Sequence, residues 1–399
     1  MTLNEDQQKA LSKFAKWYKD FNKPTKCVRE WFEISGAAGT GKTTLAKHLF
    51  TNVGIDDDDI LYVAYVGKAT MALARNGLRA KTIHSAIYNI RWKRRTRDEI
   101  VDEEDDFIGD DKYRGGFVLK PNLGPNVKAI VVDEGSMVPE KIANDLLSFG
   151  LPVIVLGDLN QLPPVMGNPF FLQSPDVILT KIMRQAEDSP IIRLSQDILH
   201  KKMIRPGEYD STDKLHIIDE RRDGVRVDFD SFDAVIVGKN KTREMYNTYI
   251  RENVYKRYGD IQLGDKLICR KNNWDYFTRE GIFLINGLVG IVTDIDHERS
   301  TKKFLNIELL PEGFKDRFYD IKLDRKMFKV PISMKREAMN PFSKYDLFEY
   351  AYAITCHLSQ GSQYNNIFVK YENMYSADYC RKWLYTAVTR AIERMTLVL

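Results

Sequence analysis

The chain has 399 residues, of which 43% are hydrophobic and 29% are charged, as in an ordinary globular protein of about two or three domains. The net charge of +4 permits nucleic-acid binding but does not argue for it. The four cysteines form no CxxC pair, which excludes a disulfide framework and a cysteine-rich zinc site. Because neither a signal pattern nor an apolar run of about 18 residues occurs, we expect a cytoplasmic protein.

Six short apolar runs predict strands that are buried on both faces, because their apolar residues are continuous rather than alternating. Helix-like segments follow at 43–51 and 140–148. Strands that alternate with helices indicate an α/β protein with a parallel sheet. The six runs are WFEIS (31–35), ILYVAYV (60–66), VKAIVVD (127–133), PVIVLGD (152–158), DAVIVG (233–238) and NIFVK (366–370).

The segment GAAGTGKTT fits the phosphate-loop pattern G-x-x-x-x-G-K-[ST] and lies between a predicted strand and a predicted helix. Glycines allow the backbone N–H groups to face phosphates, and the helix N-terminus adds partial positive charge. We expect Lys42 to reach the β- and γ-phosphates and Thr43 to hold Mg²⁺. The predicted nucleotide-binding residues are Gly36, Ala37, Ala38, Gly39, Thr40, Gly41, Lys42, Thr43 and Thr44.

Residues 91–126 interrupt the alternation of strands and helices. Basic residues are dense between Arg91 and Arg97, and an acidic run follows. The segment is either an insertion between two core strands or a solvated loop.

The segment AIVVDEGSM, residues 129–137, is a predicted buried strand that ends in two carboxylates. Asp133 is placed to hold the Mg²⁺ shell, and Glu134 is placed to polarise a water for attack on the γ-phosphate. An Asp-Glu pair after a strand is common by chance, but here it follows a phosphate loop. Together the two motifs predict hydrolysis of ATP with magnesium.

Two further segments follow. GDLNQLPPV, residues 157–165, places Gln161 after another buried strand, where it can sense the γ-phosphate. Arg184 lies in LTKIMRQAEDSPI, and by itself such an arginine is usually a surface charge.

Residues 262–340 are rich in strand-forming residues, and Asn286-Gly287 favours a hairpin. We therefore expect a small inserted β-barrel in the second half.

The order of the motifs resembles superfamily 1 helicases, and within them the 5′-to-3′ branch that contains RecD and phage Dda. That resemblance implies an α/β fold of two tandem RecA-like P-loop domains, with an inserted pin region and an inserted SH3-like β-barrel. The motifs are GAAGTGKT, DEGSM, GDLNQLPPV, IMRQAEDSPI, GKNKTR, YAITCHLSQGS and YTAVTRA. The implied domains are 1A (1–85 and 127–183), pin 1B (86–126), 2A (184–261 and 346–399) and SH3-like 2B (262–345).

On the nucleotide side, the resemblance implies that Gln7 contacts adenine. Arg184 and Arg390 would be two arginine fingers, since a guanidinium supplied across a cleft stabilises charge on the transferring phosphate. Gln360 and Gly361, at the end of YAITCHLSQGS, would face the nucleotide.

On the DNA side, a hydroxyl and an imidazole suit phosphate and base contacts. Asn240 and Arg243 share one motif, and either could face DNA or nucleotide. The chain departs from many relatives at Tyr65-Val66, where they carry Pro-Thr, and at Leu358, where they carry Lys. The expected DNA-binding residues are Lys68, Thr82, His84, Asn240, Thr355 and His357.

In relatives, the position of residues 91–126 holds a pin that splits the duplex. Trp92, Phe107, Tyr113 and Phe117 are the aromatic candidates for a wedge, and the sequence does not choose among them.

The predicted function is an ATP-dependent 5′-to-3′ DNA helicase that couples Mg-ATP hydrolysis to closure of a cleft. Two alternatives stay open: a single-strand translocase that displaces proteins with little unwinding, and a P-loop ATPase that remodels or loads a replication factor. The arginine motifs argue against the last. The expected partners are single-stranded and forked DNA, with a single-strand-binding protein or replisome component. The resemblance suggests a monomeric viral replication or recombination accessory in the host cytoplasm.

Overall fold

The computed structural model describes residues 3–23, 28–65, 69–70, 73, 77–94, 113–163, 170–181, 189–206, 214–220, 227–279, 282–330 and 343–399, with the backbone alone at 90–94, 113–117, 274–275 and 277. Its helices are α1 (Glu5–Phe21), α2 (Lys42–Asn52), α3 (Ile83–Ile87), α4 (Glu140–Leu147), α5 (Pro190–Leu199), α6 (Asn240–Tyr249), α7 (Lys326–Lys329) and α8 (Ala377–Val388).

The strands of the first half are β1 (Trp31–Gly36), β2 (Ile60–Ala64), β3 (Ala80–Thr82), β4 (Tyr88–Arg94), β5 (Tyr113–Leu119), β6 (Ala129–Asp133), β7 (Val153–Gly157), β8 (Val177–Leu179) and β9 (Leu215–Ile218). Those of the second half are β10 (Ala234–Val237), β11 (Lys266–Cys269), β12 (Asn273–Phe277), β13 (Phe283–Leu284), β14 (Val289–Asp296), β15 (Phe304–Pro311), β16 (Phe318–Asp324), β17 (Phe348–Tyr350), β18 (Ala353–Thr355), β19 (Tyr364–Lys370) and β20 (Ala391–Val398). Each of the six apolar runs forms a strand, as predicted.

The chain divides into two compact units. Unit 1 contains residues 1–88, 119–226 and 359–399, and unit 2 contains residues 89–118 and 227–358. The four-domain division implied by the resemblance stays a prediction. No helix in the described part of the chain is both long and apolar enough to cross a membrane.

Unit 1 contains a six-stranded sheet in the order β3-β2-β6-β7-β1-β8. Its strands pair in parallel, with Ser35 opposite Gly157 and Ala64 opposite Asp133. The carboxyl ends of β1, β6 and β7 therefore meet at one edge of the sheet. In open α/β sheets, ligands bind in the crevice outside that edge.

The core of unit 1 lies where α1 and α2 pack against this sheet. Phe14 and Trp17 of α1 and Leu49 of α2 contact a cluster that includes Phe32 and Val131 of the strands. Burying each large apolar side chain contributes about 1.5–3 kcal/mol, so this layer fixes α2, and with it the loop before α2, against the sheet. Strands β9, β20 and β19 of the same unit pair in parallel, and α8 follows β19.

Unit 2 contains a five-stranded sheet in the order β16-β15-β14-β11-β17, whose neighbours are antiparallel. This sheet has its own core, which includes Leu267, Leu284, Leu309, Phe318 and Phe348. The prediction of a β-rich insert is confirmed by these strands, and its assignment as an SH3-like barrel stays a prediction. The parallel pair β10–β18 lies in the same unit.

The predicted hairpin at Asn286-Gly287 is wrong, although the turn itself is present. Gly287 has φ +88°, and the Leu288 N–H donates to the Ile285 carbonyl at 3.0 Å. However, β13 pairs with β12, whereas β14 pairs with β11 and β15. The turn therefore connects strands of two different sheets, which local turn chemistry cannot reveal.

Strands β4 and β5 form a two-stranded sheet at the position of the expected pin. Phe107 lies outside the described residues, and so do the side chains of Trp92, Tyr113 and Phe117. The existence of a paired element is therefore established, while the choice of wedge residue stays a prediction.

Candidate active site

The loop between β1 and α2 has the geometry that its glycines require. Gly39 and Gly41 both have φ +78°, a region that residues with a Cβ rarely adopt. A Cβ at Gly36 would lie 2.7 Å from Thr40 Oγ1 and 3.0 Å from Leu179 Cβ, so only glycine fits. Thr40 Oγ1 in turn donates to the Ala37 carbonyl at 2.8 Å. The spacing of glycines in the motif is therefore a consequence of this tight loop.

The residues that follow the loop place positive charge at its mouth. Lys42 begins α2, and its Nζ donates to the carbonyls of Gly36 at 2.7 Å and Ala37 at 3.0 Å. The first turn of a helix has N–H groups without intrahelical partners, and its dipole favours anions. Thr43 is half-buried in that turn. A helix N-terminus, an ammonium and a hydroxyl at one point fit a magnesium-bound polyphosphate.

The acidic pair lies at the carboxyl end of β6. Burial and the neighbouring Glu134 raise the pKa of Asp133 to about 6, against the opposing pull of Lys42 and Arg390. A cation near a buried carboxylate that lies beside a second carboxylate stabilises its charged form. Carboxylate and hydroxyl oxygens are the ligands that Mg²⁺ prefers. Asp133 and Thr43 therefore fit the predicted metal site.

Glu134 adopts a left-handed backbone conformation, with φ 51° and ψ 44°. Such a conformation costs a residue with a Cβ about 1–2 kcal/mol and is concentrated at functional sites. A short 3₁₀ turn, Gly135–Met137, follows directly. At Glu134 the chain therefore leaves the extended path of β6. This residue lies at the edge of the sheet where the phosphate loop also lies.

The turn after β7 is held by a buried carboxylate. Asp158 is 3% exposed, and its Oδ1 accepts the Asn160 N–H at 2.9 Å. Its Oδ2 accepts the hydroxyl of Tyr385 at 2.5 Å, and that phenol oxygen accepts the Ala38 N–H at 3.2 Å. Gln161 lies in this turn, where its N–H donates to the Asp158 carbonyl at 3.3 Å.

Arg390 lies in unit 1 and is 4% exposed. Its guanidinium donates to the carbonyls of Thr386 at 3.0 Å and Ser362 at 3.3 Å, and to Thr389 Oγ1 at 3.1 Å. Its charge also acts on Asp133. Arg390 therefore lies in the same unit as the acidic pair, whereas the resemblance implied an arginine supplied across a cleft from the second domain. Its role as an arginine finger stays a prediction.

Two residues of the C-terminal segments contact Leu162. Gln360 Nε2 donates to the Leu162 carbonyl at 2.8 Å, and Thr386 Oγ1 accepts the Leu162 N–H at 2.9 Å. Gly361, which has φ +71°, follows Gln360. Gln360 is therefore placed beside the turn that carries Gln161.

Gln7 is buried and completes a capping box at the start of α1. Its Oε1 accepts the Asn4 N–H at 3.1 Å, and its own N–H donates to Asn4 Oδ1 at 3.0 Å. Its expected adenine contact stays a prediction. The neighbouring Asp6 accepts the N–H groups of Thr180 at 2.9 Å and Lys181 at 3.2 Å. Residues 182–188, which include Arg184, lie outside the described part of the chain.

The DNA-side candidates of unit 1 lie around α3. Thr82 caps this helix, because its Oγ1 accepts the Ser85 N–H at 3.2 Å. The His84 ring lies 5.7 Å from the ring of Tyr65 and 5.8 Å from that of Tyr88, measured between centroids. Lys68 lies outside the described residues.

The DNA-side candidates of unit 2 differ in exposure. Asn240 is exposed at the start of α6. Thr355 is buried, and its Oγ1 accepts the Leu358 N–H at 3.4 Å. Burial lowers the pKa of His357. The interpretation that Arg243 could face DNA or nucleotide is wrong, because its guanidinium is buried in a two-point ion pair with Glu349, at 2.9 and 3.0 Å.

Sequence reasoning missed Asp158, Tyr385, Thr386 and Asp6. The first three lie within motifs that were recognised, but no spacing rule relates residues that are 227 positions apart. Composition offered one indication: Tyr385 and Asp158 lie in otherwise apolar segments, and a buried phenol or carboxylate requires a hydrogen-bond partner.

A parallel sheet whose first strand leads through a glycine loop into a helix, with an acidic pair at a neighbouring strand end, defines a P-loop nucleotide-binding protein. Residues 2–220 match the family model described as AAA domain, and residues 350–398 match the UvrD-like helicase C-terminal domain. The chain belongs to the AAA domain family. The resemblance to superfamily 1 helicases that the motif order predicted is confirmed by the two matches together with the relatives.

The chain is 22% identical to the ATP-dependent RecD2 DNA helicase of Deinococcus radiodurans over 391 residues, which cover 90% of the chain and 46% of that protein. It is 23% identical to the ATP-dependent DNA helicase dda of Enterobacteria phage T4 over 340 residues, which cover 76% of the chain and 72% of dda. The chain therefore spans about half the length of RecD2.

A crystal structure of Pif1 helicase from Bacteroides, in complex with ADP-AlF3 and single-stranded DNA, has a TM-score of 0.52 and 18% identity to the chain. The likeness covers 100% of the chain and 92% of the Pif1 chain, and it shows a shared fold.

Proposed function

We propose that the chain is an ATP-dependent 5′-to-3′ DNA helicase that translocates on single-stranded DNA. The observation that carries this proposal is the joining of a phosphate loop, an acidic pair and a buried arginine in unit 1. The segment that carries Arg390 is bound to the phosphate loop, because the Tyr385 hydroxyl accepts the Ala38 N–H at 3.2 Å, although these two residues lie 347 positions apart in sequence. The DNA substrate is supported by the two DNA helicases RecD2 and dda and by the Pif1 structure with single-stranded DNA. The polarity rests on the resemblance of the motif order to the 5′-to-3′ branch.

Each residue of the site has a chemical role in this proposal. Lys42 and the first turn of α2 bind the phosphates, and Thr43 and Asp133 would hold Mg²⁺, which supplies charge neutralisation at the phosphate oxygens. Glu134 accepts a proton from the attacking water, which Gln161 orients. Arg390 and Arg184 stabilise the charge that develops on the transferring phosphate.

The domain roles belong to the same proposal. We assign 1–85 and 127–183 to RecA-like domain 1A, and 184–261 and 346–399 to domain 2A, whose cleft would close on ATP. The pair β4–β5 supports a pin in 86–126, and the separate core of the five-stranded sheet supports an SH3-like domain in 262–345.

DNA contacts are assigned to Lys68, Thr82, His84, Asn240, Thr355 and His357. The His84 ring lies against those of Tyr65 and Tyr88 in tilted contacts, and these rings support the assignment at α3, because aromatic faces suit stacking against bases. A single-strand-binding protein or replisome component is a further proposed partner.

The proposal is tested by ATP turnover with and without single-stranded DNA. The wild-type rate should rise with DNA, and Lys42→Ala should lower it by about 100-fold or more, because an interaction with the transferring phosphate is removed. Lys47→Ala is a matched control: Lys47 lies on the same helix, and its exposed amine pairs with Asp57 at 2.6 Å. A rate that is indifferent to DNA would favour an ATPase that acts on another substrate. Full turnover in Lys42→Ala would contradict the site assignment.

A further inference from the structure

Three segments that are distant in sequence meet at the phenol of Tyr385. The hydroxyl donates to Asp158 Oδ2 at 2.5 Å and accepts the Ala38 N–H at 3.2 Å. Ala38 belongs to the phosphate loop, Asp158 begins the turn after β7, and Tyr385 lies on α8, which precedes Arg390. Tyr385 is 0% exposed and Asp158 is 3% exposed, so the bond between these two side chains is shielded from water.

The chemistry of this contact is specific to a phenol. A hydroxyl has one proton to donate and lone pairs with which to accept, and both are used here. Burial and the charge of Asp158 raise the pKa of Tyr385, so the phenol stays protonated. The other carboxylate oxygen, Oδ1, is occupied by the N–H and Nδ2 of Asn160, at 2.9 and 3.2 Å. Replacement of tyrosine by phenylalanine therefore removes both bonds and leaves the ring.

The turn that contains Gln161 is hydrogen-bonded at both of its ends, Asp158 and Leu162. On one side, Asp158 is bound by Tyr385; on the other, Leu162 donates to Thr386 Oγ1 at 2.9 Å and accepts from Gln360 at 2.8 Å. Tyr385 and Thr386 are adjacent in the last turn of α8. The end of α8 therefore contacts the turn that contains Gln161 on both sides, and Tyr385 also binds the phosphate loop.

We propose that Tyr385 is a positioning residue for ATP turnover, which holds the Asp158 turn and its Gln161 against the phosphate loop at Ala38. The proposal rests on the function proposed above. Because Tyr385 acts through Gln161 and the loop rather than on the nucleotide, its loss should slow the chemical step and leave ATP binding nearly unchanged.

The first experiment compares Tyr385→Phe with Tyr375→Phe. Tyr375 precedes α8 and is 93% exposed, so it controls for loss of a phenol hydroxyl in general. With saturating single-stranded DNA, Tyr385→Phe should lower kcat about tenfold and change the KM for ATP by less than about twofold. Tyr375→Phe should match the wild type. Equal kcat values in the two variants, or a change confined to KM, would overturn the proposal.

Asp158→Asn provides an independent arm. An amide has one acceptor oxygen, so it cannot serve both Tyr385 and Asn160 as the carboxylate does. The decrease in kcat of Asp158→Asn should be similar to that of Tyr385→Phe. The double variant should lose little more kcat than either single variant, because the two residues act through one hydrogen-bond network. Additive losses would place the two residues in separate roles and overturn the proposal.

The second measurement does not depend on activity. Amide hydrogen exchange of the full chain, followed in peptides that contain Ala38 and Asn160–Leu162, should be faster in Tyr385→Phe than in Tyr375→Phe, while exchange in the β6 peptide is unchanged. Unchanged exchange at Ala38 would overturn the proposal whatever the kinetics. If the wild type did not hydrolyse ATP, the proposed function would fail, and exchange would still decide whether Tyr385 holds the loop.

Discussion

Gly135, the central residue of DEGSM, should not tolerate a single added methyl group. A Cβ at this position would lie well inside the van der Waals contact distance of Val155 Cγ1, 3.4 Å from the Leu156 carbonyl oxygen and 3.7 Å from Phe171 Cβ. Val155 is fully buried on β7, and its branched side chain has little rotamer freedom. Relief therefore requires a shift of β7 or of the turn that follows Glu134.

The magnitude follows from two opposing effects. Overpacking a buried site costs about 1–3 kcal/mol. The φ angle of Gly135 is not positive, so alanine adds no backbone strain and lowers the entropy of the unfolded chain, which offsets about 0.4–1 kcal/mol. We expect Gly135→Ala to lower the free energy of unfolding by about 1–2 kcal/mol. ATP turnover should also fall, because the shift displaces Glu134.

Urea unfolding followed by circular dichroism measures the effect, and a second substitution tests its cause. Val155→Ala removes the methyl groups that clash and should cost about 2 kcal/mol by itself. The double variant should lose about 1 kcal/mol less than the sum of the single variants, because the added Cβ then fills the space. A Gly135→Ala variant as stable as the wild type, or strictly additive losses, would refute the reasoning.

Three further predictions concern unit 2. Glu349 pairs with the buried Arg243 at 2.9 Å and with the half-buried Arg270 at 3.1 Å. Glu349→Gln should lower the free energy of unfolding by about 3 kcal/mol, because both guanidiniums lose their counter-charge, whereas the exposed Glu298→Gln should change it by less than about 0.5 kcal/mol. Equal stability of the two variants would contradict this ion-pair account. Burial lowers the pKa of His357, so just below pH 6.5 the unfolded chain binds more protons than the folded chain. The free energy of unfolding should therefore rise with pH in that window and level off above it. His357→Gln should flatten this slope, and an unchanged slope would show that His357 is not its source. His357→Ala should also weaken the stimulation of ATP turnover by DNA, and full stimulation would make the residue structural.

Much of the fold was readable from local patterns. Continuous apolar runs predicted β1, β2, β6, β7, β10 and β19, because strands buried on both faces have no polar side to interrupt them. The phosphate loop was readable because its φ angles at Gly39 and Gly41 demand glycine at fixed positions. Asp133 and Glu134 were readable because they end a buried strand.

The errors and omissions concern contacts that are remote in sequence. The motif left open that Arg243 could face DNA or nucleotide, but its guanidinium pairs with Glu349, 106 residues away. The turn at Gly287 was predicted correctly, yet strand pairing across the sheet decided that no hairpin forms there. The contact of Tyr385 with Asp158 and Ala38 depends on where α8 lies, and the chain passes through many strands before it reaches that helix.

Strand separation on forked DNA tests the central claim most directly. The wild-type chain and Lys42→Ala are mixed with ATP, Mg²⁺ and a forked duplex that carries either a 5′ or a 3′ single-stranded tail for loading. The account predicts that the wild type separates the strands from the 5′ tail, that it fails on the 3′ tail, and that Lys42→Ala fails on both. Separation only from the 3′ tail would contradict the proposed 5′-to-3′ polarity. If neither tail supported strand separation, the proposed helicase activity would be contradicted.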